Sequence, residues 1–189
     1  MGSKQIAHRL SKFLAAALAL SGCASLPPPS VGESLDPGTG TTVTVVPTPV
    51  ELLAELQRSD PSASFAYLAP FETNRMGERT LYLWVATPQA ARPAPQFRVL
   101  CDGQPLSLSR HEGALREIGL SQPPYTAPVP WSDQWYFQLP EEALRCLGNA
   151  RHVALEMAAG NESILFGADA PALAPLTRFS GQVLSQSNP

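Results

Sequence analysis

After Lys12 the chain contains no lysine at all, and its later cations are arginines only. Setting aside the first 22 residues, which hold Lys4, Arg9 and Lys12 and no acid, leaves 10 Arg against 16 Asp and Glu, a net charge of −6. These arginines stand singly between acids. A surface that grips phosphate backbones needs clustered cations, so nucleic acid is excluded as a partner. Arginine in place of lysine follows the same compositional drift that enriches the chain in Ala, Pro and Leu, and carries no functional message. Histidine is scarce too: beyond residue 22 only His111 and His152 occur. No Gly-x-Ser-x-Gly elbow exposes a nucleophile, no glycine-rich loop cradles phosphate, and no Cys-x-x-Cys or helical His spacing sets up a metal site, so neither a metal nor a cofactor is expected. Ser109 or Ser163, one of the two histidines, and Asp102 or Asp133 would assemble a Ser-His-acid group on paper, as chance triples do in any chain of this size. Catalysis is therefore poorly equipped.

Long apolar runs are missing as well. The longest near the N-terminus, Phe13 to Leu20, has eight residues, whereas a spanning helix needs about 20. Preceded by three cations and ending in small residues, it has the order of a signal peptide. Leu20-Ser21-Gly22-Cys23 follows directly, an aliphatic residue and two small ones before a cysteine, and this segment resembles the lipobox of bacterial lipoproteins. The resemblance covers residues 1 to 23 only. It implies cleavage before Cys23, transfer of diacylglycerol to the Cys23 thiol and acylation of the freed amine, hence a membrane-lipid partner and a permanent anchor, since two or three chains hold where one is marginal. Ala24 in place of Asp resembles the outer-membrane class, placing the chain in the cell envelope, facing the periplasm.

Three stretches follow from this: a signal peptide over 1–22, the lipidated cysteine with a Pro/Gly-rich flexible tether over 23–40, and a single domain over 41–189 with enough residues for its own core. From Thr41 the pattern turns to β-branched alternation. Thr48-Pro49-Val50-Glu51 has a capping-box arrangement and predicts a short helix to about Gln57, with Leu52, Leu53 and Leu56 as its stripe. Strands are predicted over 64–69, 79–87, 96–101, 105–109, 134–139, 151–157 and 162–167. Asp102-Gly103 predicts a tight hairpin and Gly160-Asn161 a second turn. Pro140-Glu141-Glu142 to Gly148 brackets one helical turn. Together these predict a mainly β domain, an antiparallel β-sandwich of immunoglobulin-like architecture with one or two short helices.

With Cys23 committed to lipid, Cys101 and Cys146 remain, and in an oxidising envelope they are expected to pair. The densest aromatic and proline segment is Gln122 to Trp135. Tyr125, Trp131 and Trp135 on a proline-stiffened loop are candidates for binding a partner, against the plainer reading in which the tryptophans close one end of the sandwich. Tyr82 and Trp84 make one strand apolar on both faces, so it is either central or covered. The sequence thus predicts a non-enzymatic, membrane-anchored accessory or protein-binding module, pictured as a subunit of an outer-membrane or secretion assembly. A hydrolase of cell-wall or lipid substrates and a carrier of a small apolar ligand stand as alternatives.

Overall fold

The computed structural model of the chain describes residues 30–55, 65–88, 95–130, 132–159 and 162–186. The expected signal peptide, Cys23, Trp131 and the Gly160-Asn161 turn lie outside the described residues. Within them runs an antiparallel, mainly β domain with two short helices. Eleven strands follow one another as β1 Gly32–Leu35, β2 Thr42–Val45, β3 Val50–Ala54, β4 Phe65–Arg75, β5 Glu78–Pro88, β6 Gln96–Cys101, β7 Gln104–Pro105, β8 Ser109–His111, β9 Ser132–Gln138, β10 His152–Ala159 and β11 Glu162–Asp169. Helix α1, Glu141–Asn149, sits between β9 and β10, and α2, Ala174–Ser185, closes the described chain.

The strands hydrogen-bond in the order β7-β6-β10-β11-β3-β4-β5-β9-β8, with β2 alongside β4 and β1 outside β2. This one sheet doubles back on itself. Phe97 on β6 lies 5.1 Å from the Trp135 ring and 5.8 Å from Phe137 on β9, although β6 and β9 stand near opposite ends of that order. The two halves therefore face each other as the layers of a sandwich. Leu68, Leu83, Val85 and Phe137, linked by cross-strand pairing on one layer, and Val99, Val153, Leu155, Met157 and Phe166 on the other are all buried in one core.

The long β4–β5 hairpin turns at Met76-Gly77, with φ of 55° and 92°, and the Asn74 side chain accepts the Gly77 N–H at 3.0 Å. Both residues need the left-handed region that glycine enters freely and methionine does not. The hairpin expected at Asp102-Gly103 is present, with Cys101 paired to Gln104. Its second strand is shorter than expected: register pairing covers Gln104 and Pro105, one further bond runs from the Leu106 N–H to the Val99 carbonyl at 2.9 Å, and the next pairing begins at Ser109. Residues 106–108 thus span from β7 to β8, the two ends of the sheet, and fill the seam between them with partly buried Leu106 and Leu108.

Two sequence expectations need correction. Over its described residues the helix predicted from Thr48 is a strand, β3, held between β4 and β11, while Leu56 and Gln57 lie outside the described residues. Its side chains alternate, with Val50 and Leu52 buried and Leu53 54 % exposed. A short helix makes few hydrogen bonds for its nucleation cost, whereas a central strand is satisfied on both edges. Secondly, part of the stretch taken as tether, Gly32–Leu35, is paired with β2, and Asp36 closes the following turn by accepting the N–H groups of Gly38 and Thr39 at 2.9 and 3.0 Å.

Helix α1 is longer than the single turn expected and passes Gly148 by one residue. Gly148 is where the two helices touch: a Cβ there would collide with the Ser180 side chain of α2. Glu141 and Glu142 occupy the first turn of α1, where the helix dipole favours negative charge. Cys146 on α1 is disulfide-bonded to Cys101 on β6, with Cα atoms 6.3 Å apart, so the helical layer is fastened to the sheet.

Candidate functional site

The aromatic segment divides by environment. Tyr125 is a core residue, 6 % exposed, with its ring 5.1 Å from Trp84. Its hydroxyl donates to the Pro70 carbonyl at 2.6 Å and accepts the Val46 N–H at 3.2 Å. Burial pushes the phenol pKa well above its usual value. Contrary to the expectation from sequence, Tyr125 offers almost no surface to a partner, because its ring and hydroxyl are spent on the sheet. It explains the doubly apolar strand: Ala69, Phe71, Trp84 and Ala86 on the outer face of β4 and β5 are buried, and the segment carrying Ile118, Leu120 and Tyr125 lies over them as a third layer. A polar knot completes it, in which Gln134 Oε1 accepts from Trp84 Nε1 at 2.9 Å and from the Tyr136 hydroxyl at 3.3 Å. Desolvation pushes the Tyr136 phenol up to about 12.

Trp135 is different. It stands half-buried on β9 with Phe97 on one side, its Nε1 donating to Thr87 Oγ1 at 3.1 Å, and the Arg110 guanidinium 4.3 Å from its ring centroid. Arg110 belongs to β8, opposite Phe137 in register. Arg110 over the Trp135 ring, with the Phe97 ring tilted against it, therefore occupies the seam where the sheet's two ends approach. Cation–π contact and the Thr87 bond hold the indole in one orientation, so little conformational freedom is left to lose on binding. The arginine was not singled out by sequence; only its place on β8 beside the indole marks it.

A second feature is an open cleft of ≈ 750 Å³ between the β4–β5 hairpin, the start of α1 and the end of α2, with Thr80, Ser109, Gln138 and Gln186 among its lining residues. At its floor Glu72, only 5 % exposed, receives Arg79 through Nε at 3.0 Å and Nη2 at 2.6 Å. Arg79 Nη2 also reaches the Val183 carbonyl at 3.3 Å. The hydrogen bonds it donates to Glu72 raise the Arg79 pKa further, so the guanidinium stays charged.

The Ser-His-acid combinations weighed from sequence are not brought together among the described residues. His111 Nε2 lies 3.2 Å from the Ala114 carbonyl, in an exposed turn. His152 Nδ1 meets Asp169 Oδ1 at 3.0 Å, while Asp102 accepts the N–H groups of Arg151 and His152 at 2.9 and 2.8 Å and so braces the hairpin against β10. Ser163 Oγ donates to Glu156 at 3.3 Å, Asp133 pairs in register with Thr87, and Ser109 lines the cleft. The described residues contain no group of three or more His, Cys, Asp or Glu able to hold a metal ion, and no helix among them is long and apolar enough to cross a membrane. Compared with known proteins, the chain matches no family model, no curated protein and no solved structure.

Proposed function

We propose that the chain is a lipid-anchored protein of the bacterial cell envelope, held through acylated Cys23 at the outer membrane and facing the periplasm, which binds another envelope protein without catalysing a reaction. The observation that carries the binding role is the Arg110–Trp135–Phe97 cluster: arginine and tryptophan dominate binding energy where they are rigid and can be desolvated together, and here both sit at the seam of the sheet. Site-specific cross-linking from the seam of the full-length protein in intact cells, followed by comparison with Arg110→Glu, tests it. Recovery of one cross-linked species should fall at least about tenfold in Arg110→Glu, the range of a lost anchor, while the exposed control Arg145→Glu leaves it unchanged. Equal recovery from all three proteins would remove the seam as the site.

A second reading rests on the Glu72–Arg79 cleft, where charged, hydroxyl and amide side chains stand among Leu81, Leu139, Pro140 and Val183, a mixed lining that suits a small molecule with both polar and apolar parts. Native mass spectrometry of the protein drawn directly from its membrane would show a bound small molecule in that case, and its loss in Thr80→Trp, which fills the cleft.

A further inference from the structure

Among the described residues the large apolar side chains that stand exposed are Leu35, Leu53 and Met76, and the last of them lies wholly in solvent. Met76 occupies the tip of the β4–β5 hairpin, where Arg75 pairs with Glu78 and only Met76 and Gly77 form the loop. With φ positive at both positions, this is the two-residue turn that favours asparagine, aspartate or glycine at its first place. Methionine suits that place neither by conformation nor by polarity. The turn makes no use of its side chain: cross-strand pairing and the bond from the Gly77 N–H to the Asn74 side chain hold the loop.

What sets Met76 apart from the two leucines is chemical. A thioether sulfur has a lone pair that takes up oxygen from peroxides, and leucine has none. Of the chain's three methionines, Met1 lies outside the described residues and Met157 is 4 % exposed on β10, opposite Phe97 and Ile164 in register. The sulfurs of Cys101 and Cys146 are joined to each other. Met76 is therefore the one thioether open to solvent among the described residues, and oxidation of this kind follows exposure.

We propose that Met76 is a site of reversible oxidation by hydroperoxides. The sulfur attacks the outer oxygen, an S–O bond forms as the O–O bond breaks, and the proton on that oxygen moves to the departing one. Sulfur is thus oxidised by two electrons and the peroxide is reduced to water or an alcohol. A dithiol-dependent methionine sulfoxide reductase reverses the change: the sulfoxide oxygen leaves as water and the dithiol becomes a disulfide. Oxidation turns the hairpin tip from an apolar knob into a polar hydrogen-bond acceptor. No packing is lost there, so the fold carries either form, whereas the same oxygen on Met157 would enter the core. The site depends on the hairpin alone and stands apart from the anchor and seam readings.

The test treats full-length protein, purified in detergent, with hydrogen peroxide at neutral pH and follows oxygen uptake peptide by peptide with mass spectrometry. Met76 should convert completely at the rate of a free methionine peptide, while Met157 lags by about tenfold or more because its sulfur is reached only when the core opens. The thermal transition should be the same before and after treatment. Sulfoxide reductases of the two epimer specificities, with dithiothreitol, should return the Met76 peptide to its original mass. Met76→Leu should abolish the fast uptake, and Met157→Leu, close in volume, should leave it unchanged. Equal rates at the two methionines, or an unreactive Met76, would overturn the site. A transition lowered by peroxide in wild type but not in Met76→Leu would overturn the claim that the fold carries both forms, and a sulfoxide left in place by the reductases would overturn its reversibility.

Discussion

The Tyr125 hydroxyl donates to the carbonyl of Pro70 at 2.6 Å across 55 positions of sequence, joining a surface segment to a strand whose outer face would otherwise meet water. Proline contributes a carbonyl but no N–H, so Pro70 in the middle of β4 still satisfies its acceptor through this side chain. Removing the hydroxyl in Tyr125→Phe keeps the ring against Trp84 but leaves the buried Pro70 carbonyl and Val46 N–H without this partner, and should cost about 1–3 kcal/mol. Tyr125→Ala also opens a cavity and should cost about 3–5 kcal/mol. Chemical denaturation of the two variants checks the order; a neutral Tyr125→Phe would show that the bond contributes nothing.

Acid should loosen the same layer from its other side. Asp36 accepts the Ser121 N–H at 2.7 Å in addition to its own turn, and these bonds, led by that from Ser121, hold its pKa at about 2 against 3.8 for a free aspartate. A pKa lowered by folding means stability that is present above the unfolded value and lost as pH falls. The loss should therefore run from about pH 4 down to about pH 2. Thermal melts of wild type and Asp36→Asn over this window should converge as pH falls; parallel curves would show that Asp36 is not linked to folding.

The helix pair offers a reciprocal test. Gly148→Ala places a methyl group into the Ser180 side chain and should destabilise by about 1–3 kcal/mol. Ser180→Gly should cost stability alone yet cost less in the Gly148→Ala background, because it removes the obstruction. Additive effects in the double-mutant cycle would deny the contact.

Loss of the Cys101–Cys146 bridge should also register in stability. It closes a loop with a sequence separation of 45, for which chain entropy gives about 4 kcal/mol as an upper figure. Equilibrium unfolding of Cys101→Ser with Cys146→Ser, compared with wild type in the absence of reductant, should show a loss up to that size with the β-sheet signal intact below the new transition.

Strand content was legible wherever alternation met a turn signal, as in Phe97, Val99 and Cys101 before Asp102-Gly103. It was illegible in β3, where Leu52 and Leu53 are adjacent and only tertiary contact decides that one is buried and the other exposed. Helix α2 carries a readable signal of its own: Pro175 at its start, then Leu176, Phe179 and Val183 on one buried face. Of the aromatic candidates, Tyr125 and Trp135 look alike in sequence, since an amphipathic ring serves a core or a surface equally well. Their difference lies in Pro70 and Arg110, residues 55 and 25 positions away, which no local pattern connects to them. The Cys101–Cys146 bridge is the pair expected when Cys23 is set aside.

The order of strands in the sheet imposes an order on assembly as the chain emerges from its N-terminus. Hairpin β4–β5 is local and can form at once, but β3 has its second edge partner, β11, more than a hundred residues downstream, and β6 waits for β10. Until both arrive, two strands present open edges rich in valine and leucine, so the nascent molecule passes through a stage that is sticky at the edges before the last third of the chain seals it.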